Sequence, residues 1–296
     1  MKKPNLIDPR TLYKHTKFKD QEQDTPALQD EMMPEPDCGE ESYKGSGKLE
    51  NRNALITGGD SGIGRAAAIA YAREGANVAI QFYPGEEQDA EEVKELIEKE
   101  GVKSLLLPYD LREEKAAAKI VEDTVEAFGQ LDILVLNAGQ QIAQESLSEL
   151  SMEQIEDTFK VNIISMFESV KAAEKYLPAG STIVTTTSVQ ATNPSTHLMD
   201  YAATKGAITN FTINLAKYFA EKGIRVNGVA PGPIWTPLQL DDGQPDGVIP
   251  KFGQSSLLER AGQPAELAHV YVYLASNESS YVTAQIYGVT GGEAIN

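Results

Sequence analysis

Short apolar runs alternate with longer helical stretches along most of the chain, from residue 52 onward. The segment Arg65–Glu74, rich in alanine, predicts a helix closed by Gly75, and Glu86–Glu100 predicts an acidic, exposed helix ended by Gly101. Strands that alternate with helices indicate βαβ units, a parallel sheet and right-handed crossovers. We therefore predict an α/β fold, a single doubly wound domain. Its strands are expected at Ala54–Thr57, Asn77–Phe82, Ser104–Leu107, Ile133–Leu136, Thr182–Thr186, Arg225–Val229 and Ile286–Val289.

The first 47 residues do not follow this pattern. Residues 1–19 hold six basic side chains and one acid, Asp8, whereas residues 20–41 hold nine acids and no base. Such a segment has too little apolar surface to fold by itself. Its composition is typical of a solvated tail, and the alternative is an arm laid over its own domain or over a neighbouring subunit. We expect an N-terminal arm, residues 1–47, followed by one domain, residues 48–296.

Composition limits the classes of protein to which the chain can belong. Its 296 residues are 41% hydrophobic and 24% charged, as in soluble globular proteins, and the single cysteine, Cys38, excludes an intrachain disulfide. The sequence shows no signal peptide and no apolar run of the roughly 20 residues that span a bilayer, so we expect a cytoplasmic protein with no membrane partner. The net charge of −18 argues against nucleic-acid binding and disfavours acidic carrier proteins as partners.

The first strand runs directly into a glycine-rich turn, Thr57–Gly64, with the sequence T-G-G-D-S-G-I-G. Glycines let backbone amides approach a phosphate closely, and the N-terminus of the following helix adds a favourable dipole. A turn of this kind after the first strand of a βαβ run predicts a dinucleotide pyrophosphate site.

Three polar residues form the most informative constellation in the chain. Tyr201 follows Ser188 by thirteen residues, and Lys205 follows Tyr201 by four, so the last two share one helix face. An ammonium beside a phenol favours the phenolate, and we expect the Tyr201 pKa to lie well below its usual value of about 10. Ser188 would hydrogen-bond a substrate carbonyl while Tyr201 moves the proton. The same spacing at Tyr13–Lys17 lies in the arm, and we interpret it as chance.

With these motifs in place, the chain from Leu49 to Gly292 resembles the short-chain dehydrogenase/reductase family. This resemblance implies a Rossmann domain that binds a nicotinamide dinucleotide and catalyses hydride transfer. Leu136 departs from the family pattern, since it replaces the first Asn of the usual N-N-A-G. The matching motifs, in the family's order, are the glycine turn, Asn137-Ala138-Gly139, Asn162, Ser188, the Tyr201/Lys205 pair and Pro231–Thr236.

The resemblance also implies a role for each matched residue. Tyr201 would exchange the alcohol proton, Lys205 would lower the Tyr201 pKa and hold the nicotinamide ribose, and Ser188 would polarise the carbonyl. Asn162 would support a water relay to Lys205, with a surface Asn as the alternative. The cofactor would be held by Tyr201 and Lys205 together with Gly58, Ser61, Gly62, Ile63, Gly64, Tyr83, Asp110, Leu111, Asn137, Ala138, Gly139, Pro231, Gly232, Ile234 and Thr236.

Three further residues have two interpretations each. Asp110 would contact adenine, but an Asp at a strand end is often a solvated cap. Gln190 and His197 lie between Ser188 and Tyr201, where they would contact substrate or serve as plain loop residues. His15 and His269 fit structural or exposed positions better. The sequence contains no Cys/His cluster or H-E-x-x-H spacing, so we expect no catalytic metal.

The choice between NAD and NADP depends on the end of the second strand. An acid there binds the ribose 2′-hydroxyl of NAD, whereas a base accommodates the 2′-phosphate of NADP. The segment Ile80–Gly85 offers neither, and Ser61 stands where the turn would carry a base. A buried phosphate without a cation is costly, and Glu86 and Glu87 would repel it. We expect NAD, with NADP as the alternative.

The substrate is less well defined by sequence. Arg260–Glu266 and Pro231–Thr236 resemble glucose and polyol dehydrogenases and also 3-oxoacyl-carrier reductases, and the acidic chain weighs slightly against a carrier-protein substrate. A nucleotide-binding regulator without catalysis is disfavoured by the intact catalytic set. By resemblance we also expect a homotetramer and a mobile lid, Leu238–Leu258, over the substrate pocket.

Overall fold

The structure is a computed structural model that describes residues 6–13 and 18–295. Seven strands are present in these residues: β1 (Asn53–Thr57), β2 (Asn77–Phe82), β3 (Ser104–Pro108), β4 (Ile133–Leu136), β5 (Thr182–Thr186), β6 (Arg225–Pro231) and β7 (Ile286–Val289). The α-helices are α1 (Gly62–Arg73), α2 (Glu87–Lys99), α3 (Ala116–Phe128), α4 (Met152–Phe159), α5 (Ser165–Ala173), α6 (Met199–Phe219) and α7 (Ala265–Ala275).

The strands form one parallel sheet in the order β3-β2-β1-β4-β5-β6-β7. Alternate residues of β1 point to opposite faces, so Ala54 and Ile56 pack with α1, α2 and α7, while Leu55 packs with α3, α5 and α6. The strand order reverses between β1 and β4, which opens a crevice at the carboxyl ends of these strands. The predicted doubly wound fold is confirmed, and the strand bounds agree with the sequence pattern to within two residues.

The described part of the arm is not a solvated tail. Phe18, Ala27 and Met32 are buried, and they pack with Trp235 and with side chains of the expected lid. The acidic segment therefore lies over its own domain, which the arm's scattered apolar residues make possible. Across the described residues, no helix is both long and apolar enough to cross a membrane.

Candidate active site

A cavity of about 500 Å³ lies at the carboxyl ends of the central strands. Its walls are the glycine turn after β1, the loops after β2, β3, β4 and β5, the first turns of α6, and the chain between residues 231 and 255. Every residue expected to hold the cofactor lines this cavity, with Gly64 as the exception. The structure thus brings together groups that are spread over most of the sequence.

The glycine turn packs too closely for side chains at two of its positions. A Cβ on Gly64 would lie 1.7 Å from the carbonyl oxygen of Gly58, so Gly64 serves the close approach of α1 to β1. Gly62 has φ +50°, and a Cβ there would lie 2.8 Å from Thr236 Cγ2. The Thr57 hydroxyl accepts the N–H groups of Asn137 and Ala138 at 2.9 and 3.0 Å, which fixes the β4 loop beside the turn. This cradle, at the N-terminus of α1, suits a pyrophosphate.

Ser188, Tyr201 and Lys205 meet on the opposite wall of the cavity. Tyr201 and Lys205 lie one turn apart near the start of α6, and the Lys205 Nζ is 5.1 Å from the centre of the Tyr201 ring. Lys205 donates a hydrogen bond to the Thr186 carbonyl oxygen at 3.1 Å. Ser188 follows β5, and its hydroxyl accepts the N–H of Gln190 at 3.1 Å. All three catalytic candidates are buried.

The expectation that Lys205 lowers the pKa of Tyr201 is wrong for this structure. Burial raises the Tyr201 pKa to about 12, and a hydrogen bond with Ser188 opposes this only in part. Burial also lowers the pKa of Lys205 to about 8. Because Lys205 donates its hydrogen bond to the Thr186 carbonyl, desolvation of the phenol decides the direction in which the Tyr201 pKa shifts. Tyr201 therefore keeps its proton at neutral pH, as a proton donor to a carbonyl must.

Asn162 is fully buried, so the surface alternative for this residue is wrong. It lies in a π-helical turn, Lys160–Ile164, between α4 and α5. Its Oδ1 accepts the N–H of Gln140 at 2.7 Å, and its Nδ2 donates to the Gln140 carbonyl at 2.9 Å. A Cβ placed on Gly139 would lie 3.6 Å from Asn162 Oδ1 and 3.5 Å from Lys205 Nζ. Gly139 thus keeps a narrow space open between the two polar groups.

The end of the cavity beside β2 and β3 contains a cation that sequence reasoning missed. Arg112 donates to both carboxylate oxygens of Asp110 and to the Tyr83 hydroxyl, the latter at 2.9 Å. Burial would raise the pKa of Asp110, but the hydrogen bonds and charge of Arg112 lower it. Asp110 is therefore ion-paired and not a solvated cap. The D-x-R spacing after the third strand was the signal that could have revealed this pair.

Two carboxyls lie together at the same end of the cavity, and sequence reasoning did not predict that they would. Asp60 of the glycine turn is buried, and Glu86 accepts the Tyr83 N–H at 2.9 Å. Burial raises the pKa of both carboxyls, and the charge of Asp60 raises that of Glu86 further. Asp60 and Glu86 line the cavity, whereas Glu87 is exposed outside it. Within the described residues, no group of three or more His, Cys, Asp or Glu side chains is placed to hold a metal ion.

Of the two substrate candidates, only Gln190 lines the cavity. His197 lies outside it, where its Nδ1 is 3.3 Å from the Gln144 carbonyl oxygen, so the structure does not support substrate contact by His197. In the arm, the Tyr13 hydroxyl donates to Asp37 at 2.7 Å, and Tyr13 does not line the cavity. Its sequence partner Lys17, like His15, lies outside the described residues.

Comparison with known proteins agrees with this geometry. A family model described as enoyl-(acyl carrier protein) reductase matches residues 58–293. The uncharacterized oxidoreductase YhxD of Bacillus subtilis (strain 168) is 59% identical over 295 residues, which cover 99% of each chain. A glucose and ribitol dehydrogenase homolog 2 from Arabidopsis thaliana is 43% identical over 286 residues, or 94% of this chain and 98% of its own.

Solved structures show the same architecture. A short-chain dehydrogenase from Burkholderia cenocepacia J2315 in complex with NADP superposes with a TM-score of 0.76 at 30% identity, covering 83% of this chain and 99% of its own. One from Mycobacterium paratuberculosis bound to NAD gives 0.75 at 30% identity, with the same coverage. The glycine cradle, the Ser188–Tyr201–Lys205 wall and these relatives lead to one conclusion. The chain belongs to the short-chain dehydrogenase/reductase family of oxidoreductases.

Proposed function

We propose that this protein interconverts a secondary alcohol of the sugar or polyol type and its carbonyl, using a nicotinamide dinucleotide. The observation that carries the proposal is the placement of Tyr201 and Lys205 beside Ser188, across one cavity from the glycine turn. In this proposal residues 48–296 are the catalytic domain and residues 1–47 are an N-terminal arm, whose described part lies over that domain. A cytoplasmic location, expected from the sequence, and a homotetramer, expected from the family resemblance, stay predictions.

The residues divide the chemistry as follows. A bound nicotinamide ring supplies or accepts the hydride. Tyr201 gives its proton to the oxygen that becomes the alcohol, and Ser188 donates a hydrogen bond to that oxygen. Lys205, with its lowered pKa, holds the ribose hydroxyls of the cofactor and returns a proton to Tyr201. Asn162 holds the β4 loop, and the space beside Gly139, between Asn162 and Lys205, is where the water relay implied by the family resemblance would run.

The side chains around the catalytic wall favour a polar substrate. Six glutamines line the cavity: Gln81, Gln140, Gln141, Gln190, Gln239 and Gln244. Amide groups donate to and accept from hydroxyls, which suits a molecule with several of them. The name of the Arabidopsis relative supports the same substrate class. The matching family model is described as an enoyl-(acyl carrier protein) reductase, so a carrier-linked acyl substrate, in the 3-oxoacyl form expected from the sequence, stays the second candidate.

A substrate screen tests this choice. We expect sugars and polyols to reduce NAD or NADP at rates well above those of 3-oxoacyl thioester reduction, because the glutamines pair with hydroxyls. Nucleotide absorbance in both directions measures the rates. A Gln190→Leu variant should raise the KM for the best polyol and leave the nucleotide KM unchanged. Preference for an acyl thioester over all polyols would contradict the proposed substrate class.

We further propose NAD as the preferred cofactor, because the end of the cavity beside β2 is acidic. Asp60, Glu86 and Asp241 line it, and the nearby Arg112 is already paired with Asp110. A 2′-phosphate bound here would lie beside carboxyls whose pKa is raised by burial. Its binding would require these carboxyls to stay protonated, because ionised carboxylates would repel the phosphate.

At about pH 10, above the raised Glu86 pKa of about 9, Glu86→Gln should shift the ratio of NADP to NAD affinity toward NADP by about tenfold, because one ionised carboxylate is removed. Titration of both nucleotides measures the ratio. The matched control is Glu87→Gln, the same change on an exposed neighbour outside the cavity, which should leave the ratio as in the wild type. Equal shifts in the two variants, or no shift in Glu86→Gln, would show that Glu86 does not select the cofactor.

A further inference from the structure

The arm is fastened to the domain beside the cavity. The Phe18 ring stacks on Trp235 with ring centres 4.0 Å apart, and Trp235 Nε1 donates to the Pro34 carbonyl at 2.7 Å. Trp235 stands between Ile234 and Thr236, which both line the cavity. Because the two ends of this part of the arm are fixed at Trp235, the residues between them are held over the cavity.

Three of those residues, Thr25–Ala27, line the cavity directly, and we call them the strap. On one side, the Pro26 ring lies 3.1 Å from the position that a Cβ on Gly85 would take, in the loop between β2 and α2. On the other side, the Thr25 hydroxyl donates to Asp241, and the neighbouring Gln23 N–H donates to the Leu240 carbonyl at 3.1 Å. The strap therefore bridges the β2–α2 loop and the lid segment 238–258.

The position of the strap identifies the part of a dinucleotide that it would cover. In doubly wound folds the end of β2 meets the adenosine ribose, and the N-terminus of α1 meets the pyrophosphate. Tyr83 and Glu86, which follow β2, share the cavity with Thr25 and Pro26. The strap thus lies at the adenosine end, far along the cavity from the Tyr201 wall.

A second contact joins the arm to the glycine turn itself. Gln29 is fully buried, and its Oε1 accepts the N–H of Gly62, the first residue of α1, at 2.8 Å. The N–H of Gln29 donates to the Asp89 carboxylate at 2.7 Å. Gln29 therefore holds the Gly62 N–H and ties the arm to the first turn of α1.

We propose that the strap is part of the binding site for the adenosine half of the dinucleotide, and that it releases from the lid before the nucleotide leaves. This rests on the proposed function, because it requires a dinucleotide in the cavity. Nucleotide release is then governed by the Thr25–Asp241 hydrogen bond, which joins the strap to the lid. Neither residue belongs to the motifs that the family resemblance assigned.

The test is the dissociation rate of the reduced nucleotide from the full chain. Trp235 is the single tryptophan, so energy transfer from it to the reduced nicotinamide follows release in a stopped-flow displacement experiment. Thr25→Val removes the hydroxyl at constant shape, and we expect release about fivefold to tenfold faster than in the wild type. The matched control is Thr11→Val, since the Thr11 hydroxyl is exposed and donates to the Asp8 carbonyl; its release rate should equal the wild type.

A double-mutant cycle separates the strap from a general loss of stability. Asp241→Ala should accelerate release as Thr25→Val does, and the double variant should be no faster than either, because both remove one interaction. Asp241→Asn keeps an acceptor oxygen, so its release rate should lie closer to the wild-type rate than that of Asp241→Ala. This pair of Asp241 variants replaces Thr25→Val as the test if Thr25→Val does not fold. Melting temperatures without nucleotide should agree among the variants.

The outcomes are distinguishable. A wild-type nucleotide release rate in Thr25→Val would overturn the proposed role of the strap and leave the proposed function intact. The same conclusion would follow if the rate increases of the two single variants multiplied in the double variant. Failure of the wild-type protein to bind either NAD(H) or NADP(H) would overturn the proposed function and the strap together.

Discussion

Tyr201→Phe is expected to reduce turnover by about 10²-fold to 10⁴-fold, the range that a positioned general acid or base contributes. The phenyl ring retains the packing against Lys205, so the change removes the proton donor and little else. Nucleotide binding should persist, because the glycine turn is untouched. The measurements are kcat with the best substrate of the screen and the Kd of the nucleotide.

The matched control is Tyr13→Phe in the arm. Tyr13 carries the other Y-x-x-x-K spacing, but its hydroxyl donates to Asp37 and it does not line the cavity. Turnover of Tyr13→Phe should remain near the wild-type value. Unchanged turnover in Tyr201→Phe would refute the proposed mechanism, whereas an equal loss in both variants would point to damage of the fold.

Gly64→Ala is expected to destabilise the protein by about 3 kcal/mol and to abolish tight nucleotide binding. The added Cβ would lie 1.7 Å from the Gly58 carbonyl oxygen, so α1 has to move away from β1. The two nearest atoms, the carbonyl oxygen and carbon of Gly58, belong to the backbone, so the backbone itself has to shift. Urea unfolding measures the loss of stability, and titration measures nucleotide binding.

Gly206→Ala provides the control for a glycine within a helix. Gly206 lies in α6, and no atom lies within 4 Å of the place that a Cβ would take. Alanine there should stabilise the protein by about 0.5–1 kcal/mol, through the lower entropy of the unfolded chain and its higher helix propensity. Wild-type stability and binding in Gly64→Ala would mean that the close approach of α1 to β1 does not determine the cradle.

The inner strands β1, β4 and β5 were predictable because each is buried on both faces of the sheet. Such a strand has to be apolar along its whole length, as in Ile133–Leu136, so the local pattern and the structure agree. The glycine turn was equally local, since Gly62 and Gly64 are required by the turn's own geometry. The burial of Asn162 had no such signal, because its side chain pairs with the backbone of Gln140 in a tertiary contact.

The pKa of Tyr201 shows why a local rule can give the wrong direction. The i, i+4 spacing correctly placed Lys205 beside the ring, but spacing does not report desolvation. Burial on the cavity wall raises the Tyr201 pKa to about 12 and lowers that of Lys205 to about 8. Burial is a property of the packed molecule, so it was not accessible from sequence.

The sequence by itself determined the doubly wound fold, the glycine cradle and the Ser188–Tyr201–Lys205 set, because each depends on residue type at short spacing. Only the tertiary structure decided the environment of those groups: the ion pair of Arg112 with Asp110, the absence of His197 from the cavity, and the arm laid across it. Phe18 meets Trp235, and Thr25 meets Asp241, across most of the chain. The first contact buries apolar surface and the second is a hydrogen bond between the arm and the lid, and both join residues so far apart in the sequence that no local pattern encodes them.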